Sequence, residues 1–105
     1  MKSINVSDRL YNTLRAVFSE VGVDSEEQAL KQSALLITLA KISKYEAEDG
    51  AFRGKYGTDF GAFEKKIQGQ QDVEDFEADD DYMDWKFVVQ ALKIWRERKK
   101  VLENA

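Results

Sequence analysis

The chain has neither cysteine nor histidine among its 105 residues. The absence of cysteine excludes thiolate catalysis, disulfides and zinc–sulfur sites. The absence of histidine removes the most common general base and the most common transition-metal ligand. We therefore expect a protein that is not an enzyme, with no catalytic residue, no metal and no cofactor.

Proline is absent as well, so nothing in the composition interrupts long helices. The longest strongly apolar stretch, residues 33–42, is too short to cross a bilayer, and the first residues do not lead into a signal peptide. We expect a cytoplasmic protein that contacts no membrane. The net charge of −4 argues against a general nucleic-acid binder, and residues 58–105 hold the whole acidic excess, with twelve acids and eight bases.

Residue spacing predicts one short strand followed by four helices. Ile4 and Val6 alternate with polar neighbours in residues 2–7, which is a strand pattern. A first helix, capped by Ser7 or Asp8, follows and stops at Gly22. A second, capped by Asp24 or Ser25, ends between Gly50 and Gly57. A short third helix is capped by Thr58 or Asp59, residues 68–78 form an acidic connector, and the last helix covers about 79–102.

The second helix is apolar on most sides between residues 34 and 42. Leu35, Leu36 and Ile37 cannot share one stripe of a helix, because stripes need spacings of three or four. The first helix alone cannot cover such a surface, and a lone strand leaves its backbone groups unpaired. A two-fold dimer that pairs the strand with its copy would solve both problems, so we expect a homodimer.

This strand–helix–helix pattern resembles the ribbon-helix-helix family of dimeric DNA-binding proteins. The resemblance lies in Ile4-Asn5-Val6-Ser7-Asp8-Arg9-Leu10-Tyr11, then Leu14, Gly22-Val23-Asp24-Ser25 and Ala29-Leu30. It implies a mainly α fold in which a short N-terminal strand precedes helices, built as a ribbon-helix-helix-like dimer with a helical C-terminal extension. The paired strands of that family enter the DNA major groove. The residues implied to contact DNA are Lys2, Ser3, Asn5 and Arg9.

The acidic start of the second helix departs from that family. Asp24, Glu26 and Glu27 would repel a phosphate at a helix N-terminus that otherwise suits an anion. The alternative is that this half, residues 1–53, serves for dimerisation without DNA.

The second half, residues 54–105, resembles extensions of small prokaryotic antitoxin-like proteins. The matching residues are Lys55-Tyr56-Gly57, Phe60, Phe63-Glu64-Lys65-Lys66-Ile67 and Asp80-Asp81-Tyr82-Met83-Asp84-Trp85-Lys86. The resemblance implies a type II antitoxin, a transcriptional repressor that binds its own operator DNA and neutralises a small basic toxin protein. The alternative is a homodimeric helical interaction or scaffold protein with no DNA binding.

The last helix carries two apolar stripes on nearly opposite sides. The larger stripe contains Tyr82, Trp85, Val88, Val89, Leu92, Trp95 and Leu102. The smaller stripe contains Met83, Phe87, Ile94 and Val101. A surface helix of a monomer needs one stripe, so we expect the larger to face the chain's own core and the smaller to face its twin or another protein.

Eight acids crowd residues 72–84 without a base. They lack the glycine turn and final glutamate of a calcium loop, which leaves a generic magnesium pair at Asp79 and Asp81 as a weak alternative. Residues 79–81 fit the positive end of a helix dipole. The acids before them alternate with apolar residues, a pattern that suits either contact with a basic protein surface or a solvated linker. The predicted partner-binding residues are Asp75, Phe76, Glu77, Met83, Phe87 and Ile94.

Overall fold

The computed structural model describes residues 7–70 and 75–105. Their four helices are α1 (Asp8–Glu20), α2 (Glu26–Tyr56), α3 (Phe60–Gly69) and α4 (Phe76–Glu103). By its internal contacts the chain divides into two compact units, Met1–Ile37 and Thr38–Ala105. No helix among the described residues has a segment both long enough and apolar enough to cross a membrane.

The first unit contains α1 and the start of α2. Ser7 caps α1, since its hydroxyl accepts a hydrogen bond from the Leu10 N–H at 3.3 Å. Gly22, with φ of +81°, ends the helix in a left-handed turn that favours glycine. The predicted first helix and its stop are therefore confirmed. Ser25 caps the next helix by accepting from the Gln28 N–H at 3.1 Å.

Helix α2 runs unbroken for 31 residues. Gly50 and Gly54 lie inside it. They do not break the helix, since an interior glycine destabilises a helix by only about 1 kcal/mol. The helix ends at Tyr56, and the following Gly57 has φ of +67°. This end lies within the predicted interval.

The second unit is built on α4, which packs against α2 and α3. One apolar cluster joins Ile42 of α2 to Val88 and Leu92 of α4. A second joins Phe63 of α3 to Ala78 and Trp85 of α4. The larger of the two predicted stripes of the last helix therefore faces the core of this unit, which confirms that prediction.

The start of α4 differs from the prediction. Asp75 caps the helix by accepting from the Ala78 N–H at 3.1 Å, and Phe76 is the first helical residue. The predicted connector over residues 68–78 is therefore wrong at both ends, since α3 continues to Gly69. Residues 71–74, which include Val73, lie outside the described residues.

The predicted fold class is wrong in its strand and in its ribbon-helix-helix dimer. The described residues are 86% helical and contain no strand. The predicted strand falls on residues 2–7, of which residues 2–6 lie outside the described part. Ile42 of α2 packs against Val88 and Leu92 of α4 within the second unit. Two alternating apolar residues are a weak signal beside a proline-free, helix-forming chain.

Burial on the second helix also differs from a fully covered one. Leu36, Ile37 and Leu39 are exposed in the single chain. The expectation that a twin covers them stays a prediction, as does the functional division into residues 1–53 and 54–105.

Candidate protein-interaction surface

Trp85 lies on the face of α4 that packs against the core, and it is fully buried. Its ring stacks on Phe52 with the centroids 5.5 Å apart. Its indole N–H donates to Asp49 Oδ1 at 2.9 Å, and Arg53 Nε donates to Asp49 Oδ2 at 2.8 Å. Burial raises the pKa of Asp49, but the hydrogen bonds from Trp85 and Arg53 outweigh it and hold the pKa below its ordinary value. Asp49 is thus an ionised structural group.

Two acids at the start of α4 are held by the end of α2. Lys55 Nζ lies 2.6 Å from Glu77 Oε1 and 2.6 Å from Asp81 Oδ2, and the Tyr56 hydroxyl donates to the same Asp81 oxygen. The hydrogen bonds from Lys55 and Tyr56 lower the pKa of Asp81. Burial and the hydrogen bond to Asp81 raise the pKa of Tyr56 to about 12. We call this set the α2–α4 clamp.

A further polar contact joins α4 to α3. The Tyr82 hydroxyl donates to Glu64 Oε2 at 2.8 Å, and this hydrogen bond raises the pKa of the tyrosine. In the part of the chain that the structure describes, no three acids are grouped so that they could hold a metal ion. Asp81, one of the two acids weighed as a magnesium pair, binds Lys55 instead. The polar groups of this unit thus tie helices together.

The outer face of α4 carries a row of exposed apolar side chains. They are spaced seven, four, seven and seven residues apart, which keeps them on one side of a helix. Each is more than half exposed, from 51% for Ile94 to 76% for Phe76. We call these five residues the outer row: Phe76, Met83, Phe87, Ile94 and Val101. The prediction that the smaller stripe is not buried by the chain itself is confirmed, and Phe76 extends it.

A groove of about 430 Å³ between α2 and α4 adjoins the row at Phe87. The Phe87 ring meets Tyr45 of α2 edge to face, with the centroids 6.1 Å apart. Charged groups lie among the apolar lining residues, and the complete lining is Lys44, Tyr45, Glu48, Ala51, Phe52, Asp84, Phe87 and Val88. Apolar pockets that accept one anchoring side chain are typical of the centre of a protein interface.

Charge is polarised along α4. Its first third holds five acids and no base, whereas residues 93–102 hold five bases and one acid. Asp80 and Asp84 flank the start of the outer row, and Arg98 lies one turn from both Ile94 and Val101. Among the described residues, Asp80, Asp84 and Lys100 make no ion pair. These charges therefore remain available to a partner.

The predicted partner-binding residues occupy different environments. Met83, Phe87 and Ile94 share the outer row, together with Phe76. Asp75 instead caps α4, and Glu77 is paired with Lys55, so both have structural roles within the chain. That these residues bind a partner stays a prediction.

The residues predicted to contact DNA are not brought together into a described site. Lys2, Ser3 and Asn5 lie outside the described residues. Arg9 is exposed in the first turn of α1. With the ribbon-helix-helix fold overturned, the geometric reason for placing them in a groove is gone.

The sequence reasoning missed the α2–α4 clamp. Lys55 and Asp81 are 26 positions apart, and their meeting depends on how α4 packs against the end of α2. It also missed the groove, for the same reason. The Asp75 cap did carry a local signal, since an aspartate directly precedes apolar Phe76 and a glutamate follows in the first turn.

No family model, no curated protein and no solved structure matches this chain.

Proposed function

We propose that the chain is a cytoplasmic helical protein-binding module, without enzymatic activity, that contacts its partner through the outer row and the adjoining groove. The observation that carries the proposal is the exposure of the outer row on a helix whose opposite face is already packed. A surface helix of a self-sufficient unit needs one apolar stripe, and α4 has two.

The completeness of the core in the second unit supports the proposal. Trp85 is fully buried and paired, and no buried side-chain nitrogen or oxygen of the described residues lacks a hydrogen-bond partner. The outer row is therefore not a set of core residues left open by poor packing. Contiguous exposed apolar residues on such a unit are typical of interaction sites.

The proposal is tested by photo-crosslinking in the cell that makes the protein. The photoreactive residue benzoyl-phenylalanine replaces Phe87 in one variant and Lys65, which is exposed on α3, in a control. We expect a discrete protein adduct from position 87 and none from position 65. Equal labelling at both positions, or no adduct at position 87, would refute the proposal.

A second candidate is the neutralisation of a basic toxin. It is favoured by the exposed acids Asp79, Asp80 and Asp84 around Phe76 and Met83, since an acidic and apolar surface complements a basic protein. Co-purification with the product of a neighbouring gene, lost at high salt and weakened by Asp80→Asn with Asp84→Asn, would support it. A complex indifferent to those two changes would count against it. The repressor part of that hypothesis depended on the ribbon-helix-helix fold and is not carried forward.

A further inference from the structure

We propose that the partner of the outer row is a second copy of this chain, with the two α4 helices antiparallel. This inference rests on the proposed function and names its partner. It differs from strand pairing, because it places the contact on the C-terminal helix and requires nothing of residues 1–6.

The spacing of the outer row suits another helix. Phe87, Ile94 and Val101 recur every seven residues, which is the repeat that aligns one helix with another along a seam. Met83 lies one turn before Phe87 on the same side. Trp85 and Leu92, which face the core, lie on the opposite side of α4. A helix laid along the row would therefore leave the core of the second unit intact.

The polarity of charge selects the direction of the second helix. Asp80 and Lys100 are separated by about 30 Å along the axis, at 1.5 Å per residue. This exceeds the distance over which salt screens exposed charges, about 8–10 Å. Each end thus acts separately on what lies beside it. A parallel copy would place acid beside acid and base beside base, whereas an antiparallel copy places the acidic third of each helix beside the basic third of the other.

A two-fold axis near Gln90, the middle of α4, brings the two outer rows into contact and places opposite charges side by side. It brings Phe87 of each chain to Ile94 of the other, and residues 77–84 to residues 97–104. The row then meets itself, as the contact surfaces of a two-fold dimer must. Glu97 is the one acid in the basic segment, and it is outnumbered there by Arg96, Arg98, Lys99 and Lys100.

Sedimentation equilibrium from micromolar to millimolar concentration tests the self-association. We expect a dimer for the natural chain and at least a tenfold weaker dimer for Ile94→Asp. Val17→Asp, an equally drastic change at an exposed site of α1, should leave the dimer unchanged. Far-ultraviolet circular dichroism, which measures helix content, checks that each variant is folded. A folded natural chain that stays monomeric throughout, or a dimer that only Val17→Asp dissociates, would overturn the inference.

A charge exchange tests the complementarity of the two ends. One variant carries Asp80→Lys with Asp84→Lys, and the other carries Arg98→Glu with Lys100→Glu. Each alone should associate weakly, because the substituted positions then face residues of the same sign on the other copy. Mixing the two variants puts opposite charges at those positions and should restore the dimer at low salt. Failure of the mixture to associate would contradict the electrostatic argument.

Cross-linking decides the direction, and the cysteine-free chain gives no background. Asp80→Cys and Lys100→Cys are mixed and treated with a short bifunctional maleimide. The antiparallel arrangement predicts the mixed product, whereas products of two identical variants would show a parallel pair and overturn it. If the chain is monomeric but position 87 still captures a different protein, the inference fails while the proposed function stands.

Discussion

Replacing Trp85 by phenylalanine should destabilise the second unit by about 2–4 kcal/mol at pH 7. Two losses contribute. Phenylalanine keeps a ring beside Phe52 but leaves a void where the larger indole was, and complete removal of a buried aromatic side chain costs ~3–5 kcal/mol. The change also removes the hydrogen bond to Asp49, and bonds to charged groups contribute about 1.5–3 kcal/mol. The bond that Arg53 donates to Asp49 remains and limits the second loss.

The hydrogen-bonded part of that loss should depend on pH. The pKa of Asp49 in the folded chain is below the ordinary value of 3.8, so the stability gained from its pairing is complete above that value. It is lost as the pH falls through the lowered pKa, because the carboxyl is then protonated. The gap in unfolding free energy between the natural chain and Trp85→Phe should therefore be smaller at pH 2 than at pH 7, where it is about 2–4 kcal/mol. In still stronger acid it should approach the packing loss alone, about 1–2 kcal/mol.

Urea unfolding followed by circular dichroism at both pH values measures the gap. Trp95→Phe on the same helix is the matched control. Trp95 is half-buried and contacts Arg98 through its ring, 4.5 Å from the guanidinium carbon, and it makes no hydrogen bond to a carboxylate among the described residues. Its replacement should cost about 1 kcal/mol, equally at both pH values. A Trp85→Phe gap below ~0.5 kcal/mol, or one unchanged by pH, would refute the account of this site.

Three further predictions concern the α2–α4 clamp and the end of α2. Because the pKa of Asp81 is lowered, the clamp stabilises the fold above pH 3.8 and is lost in acid. Asp81→Asn should therefore be less stable than the natural chain at pH 7 and nearly equal to it in strong acid. Urea unfolding at several pH values measures the difference. The pKa of Tyr56 is raised to about 12, so the natural chain should lose stability as the pH rises from 10 towards 12. Tyr56→Phe should be about 1.5 kcal/mol less stable at neutral pH, and its stability should change less between pH 10 and 12. Identical dependence of stability on pH in the two chains would contradict this. Gly57 has φ of +67°, so Gly57→Ala should cost about 1–2 kcal/mol, whereas Gly50→Ala, within the helix and with open space at its Cβ position, should stabilise by ~0.5–1 kcal/mol; thermal unfolding of the pair checks the difference in sign.

Local patterns predicted the helices and the two faces of α4, because spacing of three and four residues acts within one helix. Tyr82, Trp85 and Leu92 share a side by their positions alone, and so do Met83, Phe87 and Ile94. The cap at Ser7 and the left-handed Gly22 are local as well, and the structure confirms the helix that they delimit.

The structure differs from the sequence prediction both where local signals compete and where residues far apart in the chain meet. Acids at positions 79–81 also fit the start of a helix, so the local signal for the cap at Asp75 competes with them. The pairing of Asp81 with Lys55 depends on how two helices pack. The alternation of Ile4 and Val6 predicts a strand, but two apolar residues carry little weight, and the described residues contain no strand. The groove beside Tyr45 also requires two helices to meet, and no spacing within either of them encodes it.

The exposure of Met83 gives the most direct measure of the central proposal, that the outer row binds protein. Methionine oxidises according to its accessibility, and Met83 is 63% exposed in the single chain. Its rate of oxidation by brief peroxide treatment is measured by mass spectrometry in the dilute purified chain and in the cell that makes the protein, each relative to free methionine. We predict rapid oxidation in the dilute chain and at least tenfold protection in the cell. Equally rapid oxidation in both would show that nothing covers the outer row and would contradict the proposed function.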